Sequence, residues 1–162
     1  MKFVIDNIEN LDVSDSEIFE LLKVVYVQGG YTTSEVAEMV FNPPKVKSRG
    51  HLIVARETSI NEFSGMVIIV PPESNATVRA KENECEMHLL AVAPKYRSCG
   101  LGRKLVKKAL AYGEHEGWSK MILWTQRSMT EAQRLYESFG FVKVDKMERN
   151  GIEFLVYERE FT

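Results

Sequence analysis

The segment from Glu84 to Leu105 constrains the fold of this 162-residue chain more than any other part of the sequence. Polar and apolar residues alternate in its first nine positions, ECEMHLLAV, which is the period of a β-strand. A turn containing Pro94 follows, and from Gly100 onward apolar residues recur every three or four positions, as in an amphipathic helix. The segment therefore predicts a strand that leads through a glycine-containing loop into a helix. One face of the strand is expected to carry Glu84, Glu86 and His88, and the other face Cys85, Met87, Leu89 and Ala91.

The loop from Arg97 to Gly102, with the sequence RSCGLG, combines two properties of an anion-binding site. The first turn of the following helix leaves backbone N–H groups without partners and carries the positive end of the helix dipole. Gly100 and Gly102 have no Cβ atom, so a ligand oxygen can approach the backbone closely. The spacing differs from both common nucleotide-binding patterns, GxGxxG and the P-loop, and follows R-x-x-G-x-G instead. We therefore expect a phosphate group at this helix N-terminus.

The composition of the whole chain argues against several classes of protein. With 44% hydrophobic and 27% charged residues, the span 1–162 is expected to form one globular domain. The net charge of -2 argues against nonspecific binding to nucleic acid, which needs a basic surface. Cys85 and Cys99 have neither CxxC spacing nor clustered histidines, so we expect no metal and no disulfide framework. Because we find no signal peptide and no apolar run of about 18 residues, we expect a cytoplasmic protein without membrane partners.

Periodicity and turn residues predict the other elements. Ser14 and Glu17 have the spacing of a capping box, which marks the start of a helix. Residues 45–50 are basic and are predicted to form a loop. The order is β-α-α-β-β-β-α-β-α-β-β, an α/β chain with a mixed sheet and helices on both faces. In chain order the elements are a strand at 2–8, helices at 14–28 and from 33 to the prolines at 43–44, a hairpin at 51–70, the strand at 84–92, the helix from 100, a strand at 121–125, a helix at 129–138 and a hairpin at 141–159.

Two motifs together resemble a known family. The segment LAVAPKYRSCGLGRKLV is similar to the pyrophosphate loop of the GNAT N-acetyltransferases, and AQRLYESFGF, from Ala132 to Phe141, is similar to a later helix of that family. The resemblance implies the acyl-CoA N-acyltransferase (GNAT) fold, in which the sheet splays after its central strand, and acetyl-CoA as the acetyl donor without a metal. It also implies which residues bind the donor. Backbone groups of Leu90, Ala91 and Val92 would bond the pantetheine arm, and the pyrophosphate would be held by backbone N–H groups of Arg97, Ser98, Cys99, Gly100, Leu101, Gly102 and Arg103.

Acetyl transfer to an amine needs a base, because a lysine-like ammonium has a pKa near about 10, and an acid for the leaving thiolate. By resemblance, Glu86 is predicted to be the base, directly or through water. Glu84 and His88 on the same face are alternatives, and all three could also be ordinary strand residues. Tyr136 matches the family's tyrosine near the thioester sulfur and is predicted to be the acid, although an aromatic residue there could simply pack. Met129 departs from the family, which often has asparagine at that position.

The resemblance implies an N-acetyltransferase that acts on a primary amine of a small molecule or peptide by direct attack in a ternary complex. A catalytically silent acyl-CoA-binding regulatory module, or transfer of a different acyl group, stays open. The acceptor side is expected to be formed by residues 26–44 and by the hairpin after Gly50. A weakly acidic chain is compatible with a cationic amine such as a polyamine, an aminoglycoside, an amino acid or a peptide N-terminus, and it does not choose among them. Dimers are frequent in the family, so a homodimer is also an expectation.

Overall fold

The structure, a computed structural model, describes residues 2–162. These residues form seven strands, namely β1 (Phe3–Asn7), β2 (His51–Glu57), β3 (Glu62–Val70), β4 (Glu84–Val92), β5 (Lys120–Gln126), β6 (Val142–Arg149) and β7 (Ile152–Glu160). They also form five α-helices, namely α1 (Asp15–Leu22), α2 (Ser34–Val40), α3 (Pro43–Ser48), α4 (Leu101–His115) and α5 (Thr130–Ser138). Two short 3-10 helices at Ile8–Asn10 and Pro94–Tyr96 and one π-helix at Lys23–Val27 complete the set. The predicted order is confirmed except for one additional helix, α3.

The seven strands form one mixed sheet in the order β1-β2-β3-β4-β5-β7-β6. Every neighbouring pair is antiparallel except β4 and β5, which are parallel. These two strands pair only at their first residues, where Glu84, Cys85 and Glu86 face Lys120, Met121 and Ile122. Beyond that point β5 continues to pair with β7 on its other side, as far as Gln126. The sheet therefore opens between β4 and β5, which is the splay that the resemblance implied.

Two apolar cores cover the two faces of the sheet, so the prediction of helices on both faces is confirmed. Helix α4 packs into one core with Leu101, Leu105 and Val106. Helix α1 packs into the other with Ile18 and Leu22, both fully buried. Full burial of such a side chain contributes roughly 1.5–3 kcal/mol to folding. Within residues 2–162, no helix is long and apolar enough to cross a membrane.

Helix α1 begins as the sequence predicts. The N–H group of Glu17 donates to Oγ of Ser14 at 3.1 Å, and the N–H group of Ser14 donates to Oε1 of Glu17 at 3.0 Å. The capping box therefore satisfies two N–H groups that the helix itself leaves without partners. Arg56 of β2 also donates to Glu17, at 2.8 Å, which ties this helix end to the sheet.

The loop predicted over residues 45–50 is wrong, because α3 occupies Pro43–Ser48. The proline pair starts this helix as well as following the previous one, since proline lacks only an N–H group that the first turn does not use. Asn42 caps the helix by accepting a hydrogen bond from the N–H group of Lys45 at 3.3 Å. Val46 is fully buried and anchors the helix in the α1 core.

Strand β4 contains a bulge that changes which side chains face each core. Leu89 has a φ of 51°, and the register with β3 shifts so that two residues of β4 oppose one residue of β3. Cys85 and Met87 therefore share the α4 core with Leu90 and Val92, whereas Leu89 and Ala91 pack in the α1 core. The predicted alternation is correct as far as His88 and wrong for Leu89 and Ala91.

Candidate active site

A cleft of ≈ 1520 Å³ opens where β4 and β5 separate. Its walls come from both strands, from the loop at 97–103 and from helix α5. Residues of the helical segment at 25–41, of the loop at 75–78 and of the turn between β6 and β7 complete it. The cleft therefore joins the predicted phosphate-binding loop to the segment predicted to face the acceptor.

The acceptor side of the cleft is only partly as predicted. The segment at 26–44 contributes Tyr26, Tyr31, Thr32, Thr33, Val36, Val40 and Phe41 to the lining. The expectation that the hairpin after Gly50 lines this side is wrong. Among residues 2–162, which the structure describes, the cleft lining includes no residue of β2 or β3. Both strands lie on the far side of β4 from the opening, and most of their side chains are buried in the two cores.

The loop before α4 exposes backbone donors toward the cleft. Ser98 and Gly100 have φ angles of 66° and 79°, so the chain turns sharply twice before the helix. No side chain caps α4, and its first turn contains no acidic residue. The first N–H groups of this helix therefore remain available to an anion, and the helix dipole adds positive potential there. Of the predicted pyrophosphate residues, Arg97, Ser98, Gly100, Leu101, Gly102 and Arg103 line the cleft, and Cys99 is exposed beside it.

The predicted pantetheine-binding part of β4 lies along the opening. Leu90 and Val92 line the cleft, whereas Ala91 is buried beneath it. The carbonyl oxygen of Leu90 accepts a hydrogen bond of 2.8 Å from the hydroxyl of Tyr26. Tyr26 belongs to the π-helix at Lys23–Val27, a geometry that inserts an extra residue into a helical turn and is common at functional sites. One of the predicted backbone acceptors is thus already bonded to a side chain that lines the cleft.

Glu86 lies behind the cleft wall. Its side chain is fully buried and does not line the cleft. Its two oxygens accept hydrogen bonds from the backbone N–H groups of Val78, Arg79 and Ala80 and from Nε2 of His88. Burial alone would raise the pKa of Glu86, but the hydrogen bonds from His88 and from the loop backbone hold that pKa below its usual value. The carboxylate therefore stays ionised, fastens the loop before β4 and reaches the cleft only through His88.

His88 is the member of this pair that lines the cleft. Its Nε2 atom lies 2.8 Å from Oε1 of Glu86, and its Nδ1 atom lies 3.2 Å from a guanidinium nitrogen of Arg49. Because a guanidinium can only donate, Nδ1 must accept, and we assign the proton of the neutral ring to Nε2. Burial lowers the pKa of His88, although the hydrogen bond to Glu86 opposes that change. The imidazole is thus a neutral base whose basic nitrogen points to Arg49.

Glu84, the other carboxylate predicted on this face, lies away from the cleft lining. It accepts a hydrogen bond of 2.9 Å from the N–H group of Lys81, and Nζ of Lys120 lies 3.8 Å from its carboxylate. These contacts stabilise the start of the parallel β4–β5 pair, where Glu84 faces Lys120.

Tyr136 projects from α5 into the cleft lining, with only 7% of its surface exposed. Its ring packs against Phe141 at a centroid distance of 5.9 Å. Burial raises the pKa of the phenol well above its usual value, so the hydroxyl remains a proton donor at neutral pH. Met129, where the family often has asparagine, also lines the cleft, and its sulfur accepts a hydrogen bond of 3.2 Å from the hydroxyl of Thr125.

Among the cleft residues that were not predicted from the sequence, three lie around His88, namely Arg49, Trp124 and Arg149. Arg49 follows α3, and Arg149 ends β6. The guanidinium carbon of Arg149 lies 5.9 Å from the centre of the Trp124 ring. The rings of Trp124 and His88 form a T-shaped pair with their centroids 5.1 Å apart. No local pattern signals this group, because its members come from separate elements and meet only in the folded sheet.

Comparison with known proteins agrees with this geometry. Residues 16–141 match the model of the acetyltransferase (GNAT) family. The chain is 43% identical over 75 residues to an uncharacterized N-acetyltransferase of Schizosaccharomyces pombe, a match that covers 46% of each chain. It is 41% identical over 71 residues to human N-alpha-acetyltransferase 30, covering 41% of this chain and 19% of the human protein. The chain thus spans less than half the length of these curated relatives. A Bacillus subtilis acetyltransferase solved in complex with CoA has a TM-score of 0.69 at 16% identity, covering 99% of this chain and 100% of that one, which supports the fold.

Proposed function

Because this chain belongs to the GNAT family of acetyltransferases, we propose that it transfers the acetyl group of acetyl-CoA to a primary amine by direct attack in a ternary complex. One observation carries the proposal: the opening between β4 and β5 lies beside the uncapped start of α4, in a single cleft. A strand-like arm can enter the opening while a pyrophosphate meets the helix N-terminus. The relatives named N-acetyltransferases support the reaction class.

The residues present fit this donor. The N–H groups from Ser98 to Arg103 would hold the pyrophosphate, whereas the predicted N–H group of Arg97 already donates to the carbonyl of Pro94 at 3.2 Å. The side chains of Arg97 and Arg103 add positive charge beside them. Backbone groups of Leu90, Ala91 and Val92 would bond the pantetheine arm along the unpaired edge of β4. Bound acetyl-CoA supplies a thioester carbonyl that an amine can attack. Leu90 would bind chiefly through its N–H group, because its carbonyl already accepts from Tyr26.

The base in this proposal acts through the Glu86–His88 pair. Nδ1 of His88 accepts one proton from the ammonium of the acceptor, and the neutral amine nitrogen that results forms a bond to the acetyl carbon. Glu86 holds the Nε2–H of the imidazole and stabilises the imidazolium that results, so Glu86 is a positioning residue. In this proposal His88 takes the role of base that was predicted for Glu86, because the carboxylate of Glu86 is fully buried.

Tyr136 is the proposed acid. After the new carbon–nitrogen bond has formed, the carbon–sulfur bond breaks and the leaving sulfur takes a proton from the Tyr136 hydroxyl. The second proton that the nitrogen loses returns to the Tyr136 oxygen. Burial keeps the phenol protonated at neutral pH, so its hydroxyl can donate a hydrogen bond to the sulfur. Removal of water from the cleft by the bound substrates would strengthen this hydrogen bond.

A catalytically silent acyl-CoA-binding module is the second candidate, and one contact favours it. Nδ1 of His88, the proposed base atom, accepts a hydrogen bond from Arg49. In a silent module this contact would persist when ligands bind. Transfer of a different acyl group is the further alternative. Turnover measured with a series of acyl-CoA donors distinguishes it from acetyl transfer and from the silent module.

The test is an assay of free thiol release from acetyl-CoA with a panel of primary amines, with the acetylated amine identified by mass spectrometry. We expect acetylation of at least one amine, at a rate that falls in His88→Gln and Tyr136→Phe. Binding of acetyl-CoA without transfer to any amine would contradict the enzyme and support the silent module. The cytoplasmic location, the homodimer and the lack of nucleic-acid and membrane partners stay predictions.

A further inference from the structure

A second, outer cavity of ≈ 710 Å³ adjoins the cleft. The two share Val40, Arg49, Asn75, Ala76 and Arg149 as lining residues. The outer cavity has the size of a small-molecule pocket, and such pockets fall in the range of about 300–1,000 Å³. An acceptor that enters here would pass the two arginines before it reaches His88.

The charge of this outer cavity is mainly positive. Lys45, Arg49 and Arg149 line it, with Glu73 as the single acidic lining residue. Neither arginine has a carboxylate within 4.0 Å among residues 2–162. In contrast, Arg56 and Arg79, elsewhere in the fold, each form an ion pair of 2.8 Å. Arg97, Arg103, Arg134 and Arg159 of the described residues form no ion pair either, but they lie outside the outer cavity. What distinguishes Arg49 and Arg149 is that both line this cavity without a carboxylate beside them.

Arg49 has donors to spare. It gives one N–H group to Nδ1 of His88 at 3.2 Å and another to the carbonyl of Val40 at 3.2 Å. A guanidinium carries five N–H donors, so three remain. Arg49 is half-buried, and its burial, together with the nearby charge of Arg149, lowers the pKa of its guanidinium. A partly desolvated cation beside a second cation is costly unless an anion compensates both.

We propose that the acceptor is a small primary amine that also carries an oxyanion, a carboxylate or a phosphate, and that Arg49 and Arg149 hold this oxyanion beside His88. This inference rests on the proposed function and names its substrate class. Guanidinium groups match both oxyanions, because each can accept two parallel N–H bonds. A polyamine or another cationic acceptor, compatible with the net charge of the whole chain, is disfavoured by the local charge.

The same contact links acceptor binding to the base. When Arg49 turns its N–H groups to the oxyanion of the acceptor, Nδ1 of His88 loses its present donor and can accept the proton of the ammonium. The groups that surround the imidazole, namely Glu86, Arg49, Arg149 and the oxyanion, then include two negative charges. Both favour the protonated imidazole. An acceptor without an oxyanion would leave Arg49 on Nδ1.

The test compares four amines with a two-carbon spacer: β-alanine, O-phosphoethanolamine, ethanolamine and 1,2-diaminoethane. The measurement is kcat/KM for each amine, with the KM for acetyl-CoA as a check on the donor site. Arg149→Gln and Arg149→Glu are the main variants, because Arg149 is exposed and its replacement should not disturb the core. Arg49→Lys is a second variant, and Arg134→Gln, at an exposed position outside both cavities, is the matched control.

We expect wild type to use at least one of the two anionic amines with a kcat/KM at least about tenfold above ethanolamine, as one charge-assisted contact allows. Arg149→Glu should remove that preference and improve use of the diamine, while Arg134→Gln leaves the order unchanged. Preference for carboxylate or for phosphate separates the two sources of oxyanion. Equal or better use of ethanolamine or diaminoethane would overturn this inference and keep the proposed function. Acetylation of peptides alone would also overturn it, and acetylation of no amine would overturn both.

Discussion

The imidazole of His88 donates from Nε2 to Oε1 of Glu86 at 2.8 Å, and of the two residues only His88 lines the cleft. The carboxylate is fully buried and also accepts from three loop N–H groups. This arrangement gives Glu86 two tasks, since it fixes the loop before β4 and it sets the tautomer of the ring. The activity and the acid stability of the protein should therefore depend on the same pair.

Replacement of His88 tests the base. In His88→Gln we expect kcat to fall by about 10²–10⁴, the usual contribution of a general base, with little change in affinity for acetyl-CoA. The measurement is steady-state turnover beside calorimetric binding of acetyl-CoA. His115→Gln is a matched control, because His115 is exposed at the end of α4 and far from the cleft lining. Unchanged turnover in His88→Gln would exclude this residue as the base.

Replacement of Glu86 tests its positioning role through the pH profile. The carboxylate raises the pKa of His88, whereas burial, Arg49 and Arg149 lower it. In Glu86→Gln the pKa of His88 should fall further, so the acid limb of the kcat profile should move to lower pH while kcat decreases. Turnover measured across the pH range, in wild type and variant, gives both quantities. An acid limb that disappears instead of moving would show that Glu86 itself is the titrating base.

Stability should decrease in acid because the pKa values of both residues are lowered in the folded state. Unfolded His88 and Glu86 titrate near 6.5 and 4.5, and each binds protons at a higher pH than the folded form does. The free energy of unfolding therefore rises with pH through these regions. The contribution of His88 to the free energy of unfolding is complete above pH 6.5. The contribution of Glu86 is complete above pH 4.5 and is lost as the pH falls from there toward the lower pKa of Glu86 in the folded state.

The measurement is urea unfolding at a series of pH values. Glu86→Gln should flatten the acidic part of the curve, and Glu38→Gln, at an exposed position on α2, should leave it unchanged. A curve for Glu86→Gln with the same acidic slope as wild type would contradict the predicted linkage.

Tyr136→Phe isolates the hydroxyl from the packing of the ring. The ring contact with Phe141 should keep the fold intact, while kcat should fall by about 10²–10⁴ if the hydroxyl donates to the leaving sulfur. Tyr157→Phe is the matched control, because Tyr157 is buried on β7, donates to Glu137 at 3.0 Å and lies outside the cleft lining. Equal turnover in the two variants would assign Tyr136 a packing role only.

The sequence predicted elements whose signals are local. The capping box of α1, the period of α4 and the turn at Asn150-Gly151 all lie within a few residues, and the structure confirms each of them. The start of α3 is not predicted by the same signals, because a proline pair after a helix indicates its end, although proline also suits a first helical turn.

The arrangement of the site needed long-range contacts that no local pattern contains. Arg49 contacts His88, which lies 39 positions later in the sequence. Arg149 lies near them only because β7 pairs with β5 and β6 pairs with β7. The bulge at Leu89 depends on the register with β3 and not on residue type, since leucine rarely adopts a positive φ. Sequence motifs thus indicated the family, and packing decided which of the candidate residues face the cleft.

The central claim is that acetyl-CoA binds with its pyrophosphate at the start of α4, and isothermal titration tests it most directly. Gly100→Ala places a side chain at a φ of 79°, and Gly117→Ala does the same at 80° at the other end of the helix, away from the cleft. Both should cost about 1–2 kcal/mol of backbone strain, but only the first should disturb the loop that meets the phosphates. We predict that wild type and Gly117→Ala bind acetyl-CoA alike and that Gly100→Ala binds at least about tenfold more weakly. No binding by folded wild type, or equal binding by all three proteins, would contradict the claim.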